Sequence, residues 1–308
     1  VTRGGIEVLM QLNLIEGFDL KRLGYQSPEV LHLMAESIKL AKADIYHYVA
    51  DPAFTRVPWD GLLSKSYAET RRKLMSLQAT AAYPEAGQPA GATGMATRMP
   101  TLAQLPEHYS PDPDTTSFSI VDGFGNALTC TPTVGNGFGA GVVVGNTGLL
   151  FNNGMRIGSV SPYADNVNAL KPGKIPLLNN APILVMKDGR LVLAIGTPGG
   201  ESIGQTQFQG IINVIDFGLD IQQAIEAPRI RVDATPNFYK PGAATTVALE
   251  SRFPAATLEG LRARGQTLKL LDAYTPGVGG MQGILIDTRH NTMTAGADPR
   301  RAGYAMGW

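Results

Sequence analysis

The feature that most constrains the fold is a change in composition near the middle of the chain. Residues 83–113 are rich in proline, glycine, alanine, threonine and serine and show little apolar periodicity, which is typical of a linker or an exposed loop. Before this stretch, apolar residues recur at helical spacing, whereas short strand-like segments follow it. Separate groups of helices and antiparallel strands predict an α+β layered architecture, in which helices pack on stacked antiparallel sheets.

The first 80 residues are predicted to be mainly helical. Ser27 and Pro28 have the order of a helix cap followed by a first-turn proline. The apolar residues that follow are spaced by three and four: Leu31, Met34, Ile38, Ala41, Ile45 and Tyr48. We therefore expect one amphipathic helix whose apolar face is buried, and a second, more basic helix over residues 66–79.

Beyond the linker, the sequence predicts a succession of strands and three further helices. The strands are expected at residues 117–121, 127–131, 141–144, 149–151, 183–187, 191–195 and 229–232, with a hairpin at 283–294. The helices are expected at residues 203–217, 221–227 and 253–264. Glycine with Asp or Asn at 122–126 and 187–190 is typical of hairpin turns, so the strands should form antiparallel sheets.

The composition is typical of a globular protein and argues against several classes of function. The chain is 44% hydrophobic and 17% charged, with 26 Lys and Arg against 26 Asp and Glu. No basic run marks a nucleic-acid or membrane partner. The single cysteine, Cys130, excludes an internal disulfide, and the four histidines are not spaced like ligands, so neither a metal nor another cofactor is expected.

The sequence is compatible with more than one compartment. No window approaches the roughly 18 uninterrupted apolar residues of a membrane helix. The first five residues are not a signal peptide, although a signal could have been removed or could lie on a longer precursor. Periplasm and cytoplasm therefore both stay open.

Two glycine-rich stretches are candidates for ligand binding. Residues 135–140 fit the dinucleotide pattern with alanine last, but that pattern must open a helix, and the valines at 142–144 predict a strand. A glycine-rich loop that lines a pocket is therefore favoured. Gly199 and Gly200, the glycine pair, lie between a predicted strand and a predicted helix, so both N–H groups can point at one developing oxyanion. By itself, this pair is more typical of a plain turn.

Two further residues, when each is considered by itself, are best explained by ordinary structural roles. Thr115 opens the first predicted strand after the linker, and threonine is common at strand starts. Cys130 lies within a predicted strand without a histidine nearby in sequence, which favours a buried small apolar side chain. Neither residue indicates a nucleophile without other features.

The motifs of the second part of the chain, taken together, resemble the small subunit of the γ-glutamyltransferase family. They occur in one order: Asp114-Thr115-Thr116, Asp122-x-x-Gly125-Asn126-Ala127, Phe138-Gly139-Ala140-Gly141-Val142-Val143, Gly148-Leu149-Leu150-Phe151-Asn152-Asn153, Pro172-Gly173-Lys174-x-Pro176-Leu177, Lys187-Asp188-Gly189, Pro198-Gly199-Gly200 and Ala227-Pro228-Arg229. The first part resembles the end of that family's large subunit: Gly4-Gly5, Leu12-Asn13, Glu16-Gly17, Asp51-Pro52-x-Phe54 and Leu62-Leu63-Ser64-Lys65-x-Tyr67-Ala68. The resemblance covers essentially all 308 residues.

The resemblance implies an N-terminal-nucleophile hydrolase with a four-layer αββα core, made as an inactive precursor. Residues 1–114 would be the end of a large-subunit-like segment, and residues 115–308 the small-subunit-like catalytic segment of one structural domain. The family's large subunit is much longer, so we expect an N-terminal portion of the fold to be missing from this chain. That portion, with the arginine that binds the substrate carboxylate in the family, is expected on a separate chain or second subunit.

The resemblance also implies a reaction. Thr115 Oγ would attack the carbonyl of Asp114, and hydrolysis of the resulting ester would free Thr115 as a new N-terminus. Its α-amino group, with a reference pKa of roughly 7.7–8.0, would then act as the base. Thr133 matches the threonine that hydrogen-bonds the nucleophile, and the glycine pair would form the oxyanion hole. A small-molecule amide substrate would leave an acyl-Thr115 ester, to be resolved by water or by an amine.

At the positions that hold the γ-glutamyl group in the family, this sequence differs. Gly154 and Ile157 replace polar partners of the α-amino group, and Leu178 and Asn179 replace a Ser-Ser pair that binds the α-carboxylate. We therefore expect a less polar or differently charged acyl group, with hydrolysis favoured over transfer. Arg156 is either exposed or the receptor of a carboxylate. The predicted substrate-binding residues are Gly135, Asn136, Asn153, Gly154, Arg156, Ile157, Leu178 and Asn179.

Two alternatives stay open. One is a cephalosporin-acylase-like or other non-glutamyl amide hydrolase, which keeps the chemistry and changes the acyl group. The other is a catalytically dead relative that acts as an interaction subunit. Such a relative usually loses the nucleophile or the glycine pair, and this sequence contains both.

Overall fold

The computed structural model describes residues 2–92, 113–156 and 158–308, apart from the side chains at 113 and 114. The helices are α1 (Gly4–Ile15), α2 (Leu20–Leu23), α3 (Pro28–Tyr48), α4 (Trp59–Leu63), α5 (Lys65–Arg72), α6 (Ile203–Ile215), α7 (Ile221–Glu226) and α8 (Ala255–Ala263). The strands are β1 (Pro113–Thr115), β2 (Phe118–Val121), β3 (Ala127–Cys130), β4 (Thr133–Asn136), β5 (Ile183–Lys187), β6 (Arg190–Gly196), β7 (Ile230–Thr235), β8 (Ala244–Glu250), β9 (Leu268–Leu271), β10 (Gln282–Asp287) and β11 (Thr292–Ala297). Short 3-10 turns occupy Gly200–Ser202 and Pro276–Val278. Among the helices described here, none is long and apolar enough to cross a membrane.

The long helix α3 begins as the sequence predicts. Ser27 Oγ accepts a hydrogen bond from the Val30 N–H at 3.1 Å, and Pro28 occupies the first turn. The predicted apolar face is buried, which confirms it: Leu31, Met34, Ile38 and Ile45. Burial extends beyond this face of α3, since Lys39, Lys42 and Asp44 are at most 1% exposed. Burial of these charges requires ion partners from other elements.

The centre of the molecule is a four-stranded antiparallel sheet in the order β11-β10-β6-β5. One face of this sheet packs against α1, α6 and α7 through an apolar cluster that includes Val8, Ile195, Ile211 and Ile225. The hairpin β2-β3 packs against the other face, where it contacts β6 and β10. Helix, sheet and hairpin therefore form consecutive layers, which confirms the predicted α+β architecture.

The hairpin β2-β3 has an unusual distribution of polarity. Ser119 Oγ donates to Thr129 Oγ1 at 3.0 Å, and Thr129 lies on the side that faces β6. The other side of the hairpin carries Phe118, Ile120 and Leu128, which are 40%, 55% and 51% exposed. The side of the hairpin that faces away from the central sheet is thus the apolar one.

A second sheet departs from the predicted antiparallel pattern. Strands β7, β8 and β9 form a three-stranded sheet in which β8 and β9 are parallel. Helix α8 connects these two strands, as a parallel pair requires a crossover. Neither β8 nor β9 was expected, because their residues combine buried and exposed positions without a clear alternation.

Three local predictions were wrong. Residues 141–144 and 149–151 contain only an isolated bridge between Val143 and Leu150, because three glycines there have φ between +52° and +74° and interrupt an extended backbone. The second helix ends at Arg72 rather than at residue 79. Beyond it the chain turns back along α3, where the Ala81 carbonyl accepts from Lys39 Nζ at 2.7 Å.

Candidate active site

Thr115 lies at the end of β1, directly beside β4. In this antiparallel pair, Thr115 is opposite Thr133 and Asp114 is opposite Gly135, and the register shifts between Asp114 and Thr115. The hydroxyl oxygens Thr115 Oγ1 and Thr133 Oγ1 are 2.7 Å apart. Thr133 Oγ1 also accepts from the Gly135 N–H at 2.9 Å. The two threonines that the sequence analysis paired are therefore in direct contact.

Strand β4 was not predicted, because its residues fall where a glycine-rich loop was expected. Gly135 has φ of +96°, and a Cβ at this position would lie 1.9 Å from Asn153 Oδ1. Glycine is therefore needed for Asn153 to approach the strand. Residues 141–156 contain no helix, which the dinucleotide pattern would require, so that interpretation fails.

A polar network supports this strand from one side. Asn153 Oδ1 accepts from the Asn136 N–H at 3.0 Å and from Arg156 Nη1 at 3.3 Å. Arg156 Nη1 also donates to Asn136 Oδ1 at 3.0 Å. One edge of the guanidinium group is thus held, while Nε and Nη2 donate to no residue that the structure describes.

A pocket of about 70 Å³ opens beside Thr115. Eight predicted site residues line it: Thr115, Thr133, Gly135, Gly154, Arg156, Leu178, Asn179 and Gly200. Asn136, Asn153 and Gly199 are not among the residues that line it, and Ile157 and the Asp114 side chain lie outside the described residues. The wall also contains four residues that sequence reasoning missed: Asn152, Ser159, Asn180 and Ile203.

The glycine pair forms the turn between β6 and α6. Gly199 has φ of +139° and Gly200 of +56°, values that side chains other than glycine rarely adopt. A Cβ on Gly199 would lie 2.5 Å from Ser202 Oγ and 3.1 Å from Gly279 Cα. Neither N–H of the pair donates to a residue in the described ranges, and Gly200 lines the pocket.

The whole chain, residues 1–308, matches the family model described as gamma-glutamyltranspeptidase. The chain belongs to the gamma-glutamyltranspeptidase family. A glutathione hydrolase proenzyme of Escherichia coli K12 is 33% identical over 305 residues, covering 96% of this chain and 48% of that protein. An acylase ACY 1 proenzyme of Pseudomonas sp. SE83 is 31% identical over 293 residues, covering 95% of this chain and 46% of that protein.

A solved relative shows that the fold of this gamma-glutamyltranspeptidase-family chain is that of an N-terminal-nucleophile hydrolase. The crystal structure of a cephalosporin acylase from Bacillus halodurans superimposes with a TM-score of 0.79 at 28% identity. The match covers 100% of this chain and 49% of the acylase chain. The chain thus spans about half the length of the relatives it matches.

Glu201, next to the glycine pair, is a further residue that sequence reasoning missed in this gamma-glutamyltranspeptidase-family site. Its carboxylate accepts hydrogen bonds from Tyr46 OH at 2.7 Å, Asn179 Nδ2 at 3.0 Å and Lys42 Nζ at 3.2 Å, and it forms an ion pair with Arg3. Burial raises the pKa of Glu201, but Arg3 and Lys42 outweigh burial and hold this pKa well below its ordinary value. No local pattern marks the residue, because its partners are distant in sequence.

Proposed function

We propose that the protein is an N-terminal-threonine amide hydrolase or acyltransferase that is cleaved between Asp114 and Thr115 and then forms an acyl-Thr115 intermediate. The observation that carries the proposal is the 2.7 Å contact between Thr115 Oγ1 and Thr133 Oγ1 in a pocket that also contains Gly200. A hydroxyl nucleophile, its hydrogen-bonding partner and an oxyanion donor are the parts that acyl transfer needs.

The first step is the cleavage of the chain itself. Thr115 Oγ attacks the carbonyl carbon of Asp114, the C–N bond breaks, and the nitrogen of Thr115 leaves as an amine. Water then hydrolyses the ester, which leaves a carboxylate at Asp114 and a free N-terminus at Thr115. The register shift between these two residues supports this site, because such irregularities re-aim side chains next to active sites.

The second step is turnover of an amide substrate. The free α-amino group of Thr115, with an unperturbed pKa of roughly 7.7–8.0, takes the hydroxyl proton as Oγ attacks the substrate carbonyl. The two N–H groups of the glycine pair stabilise the oxyanion, and the proton passes to the leaving amine. Water or an amine acceptor then releases the acyl group from Thr115.

The pocket favours an acyl group without an ammonium. The wall contains no Asp or Glu among its described residues, whereas it contains the cation of Arg156. An ammonium there would lack a partner, and burial of an unpaired charge is costly. Leu178 adds an apolar surface, and the free edge of Arg156 can receive a carboxylate. We therefore favour neutral or carboxylate-terminated acyl groups over γ-glutamyl, and hydrolysis over transfer. One of the relatives, the Pseudomonas protein, is named an acylase, which agrees with this preference.

Matched p-nitroanilides test this specificity, because glutaryl-p-nitroanilide differs from the γ-glutamyl compound only by the missing amino group. We expect a higher kcat/KM for the glutaryl compound. Arg156→Met should lower it about 10- to 100-fold, the value of one charge-assisted hydrogen bond, with little effect on butyryl-p-nitroanilide. A kcat/KM of about 10⁴ M⁻¹s⁻¹ or more for the γ-glutamyl compound would contradict this preference and indicate γ-glutamyl specificity.

We also propose that a further polypeptide segment, on a separate chain or a second subunit, covers the apolar side of the hairpin β2-β3. The chain spans about half the length of its relatives, and Phe118, Ile120 and Leu128 are exposed. Ile120→Asp should change the melting temperature of this chain little, because the side chain is 55% exposed, and should prevent co-elution with that segment. Co-elution that survives the substitution would contradict this placement.

A catalytically dead interaction subunit is the alternative from another class. The contact between Thr115 and Thr133 and the open N–H groups of the glycine pair argue against it. Turnover that depends on Thr115 would exclude it.

A further inference from the structure

We propose that Glu201 is a positioning residue that fixes the glycine pair and the Asn179 side chain next to Thr115. It does so through a charge cluster, the Glu201 cluster, which consists of the partly buried Glu201 and the buried side chains of Arg3, Glu7, Lys42 and Tyr46. This inference rests on the proposed function, in which the glycine pair stabilises the oxyanion.

The carboxylate of Glu201 accepts hydrogen bonds from four donors. Oε1 accepts from Asn179 Nδ2 at 3.0 Å and from Arg3 Nη2. Oε2 accepts from Tyr46 OH at 2.7 Å and from Lys42 Nζ at 3.2 Å. A carboxylate has about four acceptor sites, so these four donors occupy them all and hold the side chain in this orientation.

The charges of the cluster depend on one another. Arg3 and Lys42 are 0% exposed, and both also contact Glu7, at 3.3 Å and 3.1 Å. Two cations and two carboxylates therefore balance inside the protein. Loss of the negative charge at Glu201 would leave two buried cations opposite Glu7 alone, which is strongly unfavourable.

The cluster reaches the pocket by two routes. Glu201 directly follows Gly200 and belongs to the same 3-10 turn, so its clamped side chain holds the backbone that presents the N–H groups. Arg3 also holds the opposite wall, because its N–H donates to the Leu178 carbonyl at 2.7 Å. Both walls beside Thr115 are thus tied to Arg3.

The carboxylate also decides which way the Asn179 amide points. An ionised carboxylate only accepts hydrogen bonds, so Nδ2 of Asn179 must face Glu201. The remaining atom, Oδ1, is buried and has no partner among the described residues. Asn179 lines the pocket, so the cluster holds a hydrogen-bond acceptor in the wall.

The cluster also spans the proposed cleavage site. Arg3, Lys42 and Tyr46 precede Asp114, whereas Glu201 follows Thr115. After cleavage, the oxyanion turn would be positioned by groups of the other fragment.

Glu201→Gln tests the proposal, because it keeps the shape of the side chain and removes its charge. The matched control is Asp44→Asn. Asp44 lies on α3, as Lys42 and Tyr46 do, and the substitution weakens its buried ion pair with Arg71 of α5, away from the pocket. We expect both variants to lower the melting temperature. Only Glu201→Gln should lower kcat, on the order of 10²-fold, with little change in KM, since misplaced catalytic groups have effects of this size.

Activity is measured with the anilide that the wild type hydrolyses best. It is divided by the amount of protein that has been cleaved between Asp114 and Thr115. The same assay tests the proposed function separately. Turnover by the wild type that is lost in Thr115→Ala supports that function. A kcat for Glu201→Gln no lower than that of Asp44→Asn overturns the positioning role alone. If Glu201→Gln is insoluble, Tyr46→Phe removes only the 2.7 Å hydroxyl contact. A lower kcat at unchanged KM is then expected, and an unchanged kcat overturns the proposal.

Discussion

Thr115→Ala is expected to remain a single polypeptide and to hydrolyse none of the anilides. Both proposed steps use Thr115 Oγ, first against the Asp114 carbonyl and then against the substrate, and the alanine variant has no hydroxyl. Without cleavage the α-amino base does not form either. Loss of a nucleophile that acts as part of a unit lowers kcat on the order of 10⁶-fold. A denaturing gel and a p-nitroaniline release assay measure the two effects.

The matched control for this variant is Thr116→Ala. Thr116 is the exposed neighbour of Thr115, and its backbone N–H, which donates to the Pro132 carbonyl at 3.1 Å, is unchanged by the substitution. We expect this variant to be cleaved and active. A Thr115→Ala protein that is still cut at the same bond would show that another group is the nucleophile.

Gly199→Ala is expected to lower kcat by roughly 10²- to 10³-fold, as the loss of one oxyanion donor does. Alanine rarely adopts the φ of +139° found here, and its Cβ would lie 3.1 Å from the backbone Cα of Gly279. The turn must therefore rearrange, which moves the N–H groups away from the pocket. Steady-state kinetics should show the loss mainly in kcat.

Gly189→Ala provides the control for backbone strain alone. Gly189 lies in the turn between β5 and β6, has φ of +74°, and would place its Cβ in open space. We expect a loss of stability of about 1 kcal/mol and an unchanged kcat. An equal decrease of kcat in both variants, or none in Gly199→Ala, would contradict the oxyanion assignment.

The parts of the fold that the sequence predicted are those set by local periodicity. The apolar residues of α3 recur on one face, and Ser27 caps the helix, so its start and its buried face were both recognisable. The hairpin of β5 and β6 was marked by a glycine turn between two apolar runs. For the site, the ordered motifs of the family singled out residues that the structure brings together around one pocket, among them Thr115, Thr133 and Gly200.

The parts that were missed depend on contacts between distant residues. Strand β4 exists because it pairs with β1, and β9 exists because it pairs in parallel with β8. Arg3 and Glu201 are 198 positions apart, and no sequence pattern near either residue predicts their ion pair. Valines predicted a strand at 141–144, but positive φ at neighbouring glycines outweighed their propensity.

The central claim is that Thr115 becomes an N-terminus and acts there as the nucleophile. N-terminal sequencing of the denatured wild-type protein tests it most directly. We expect two fragments, one of which begins with Thr115-Thr116-Ser117-Phe118. A single uncut chain, or a new N-terminus at any other residue, would contradict the account.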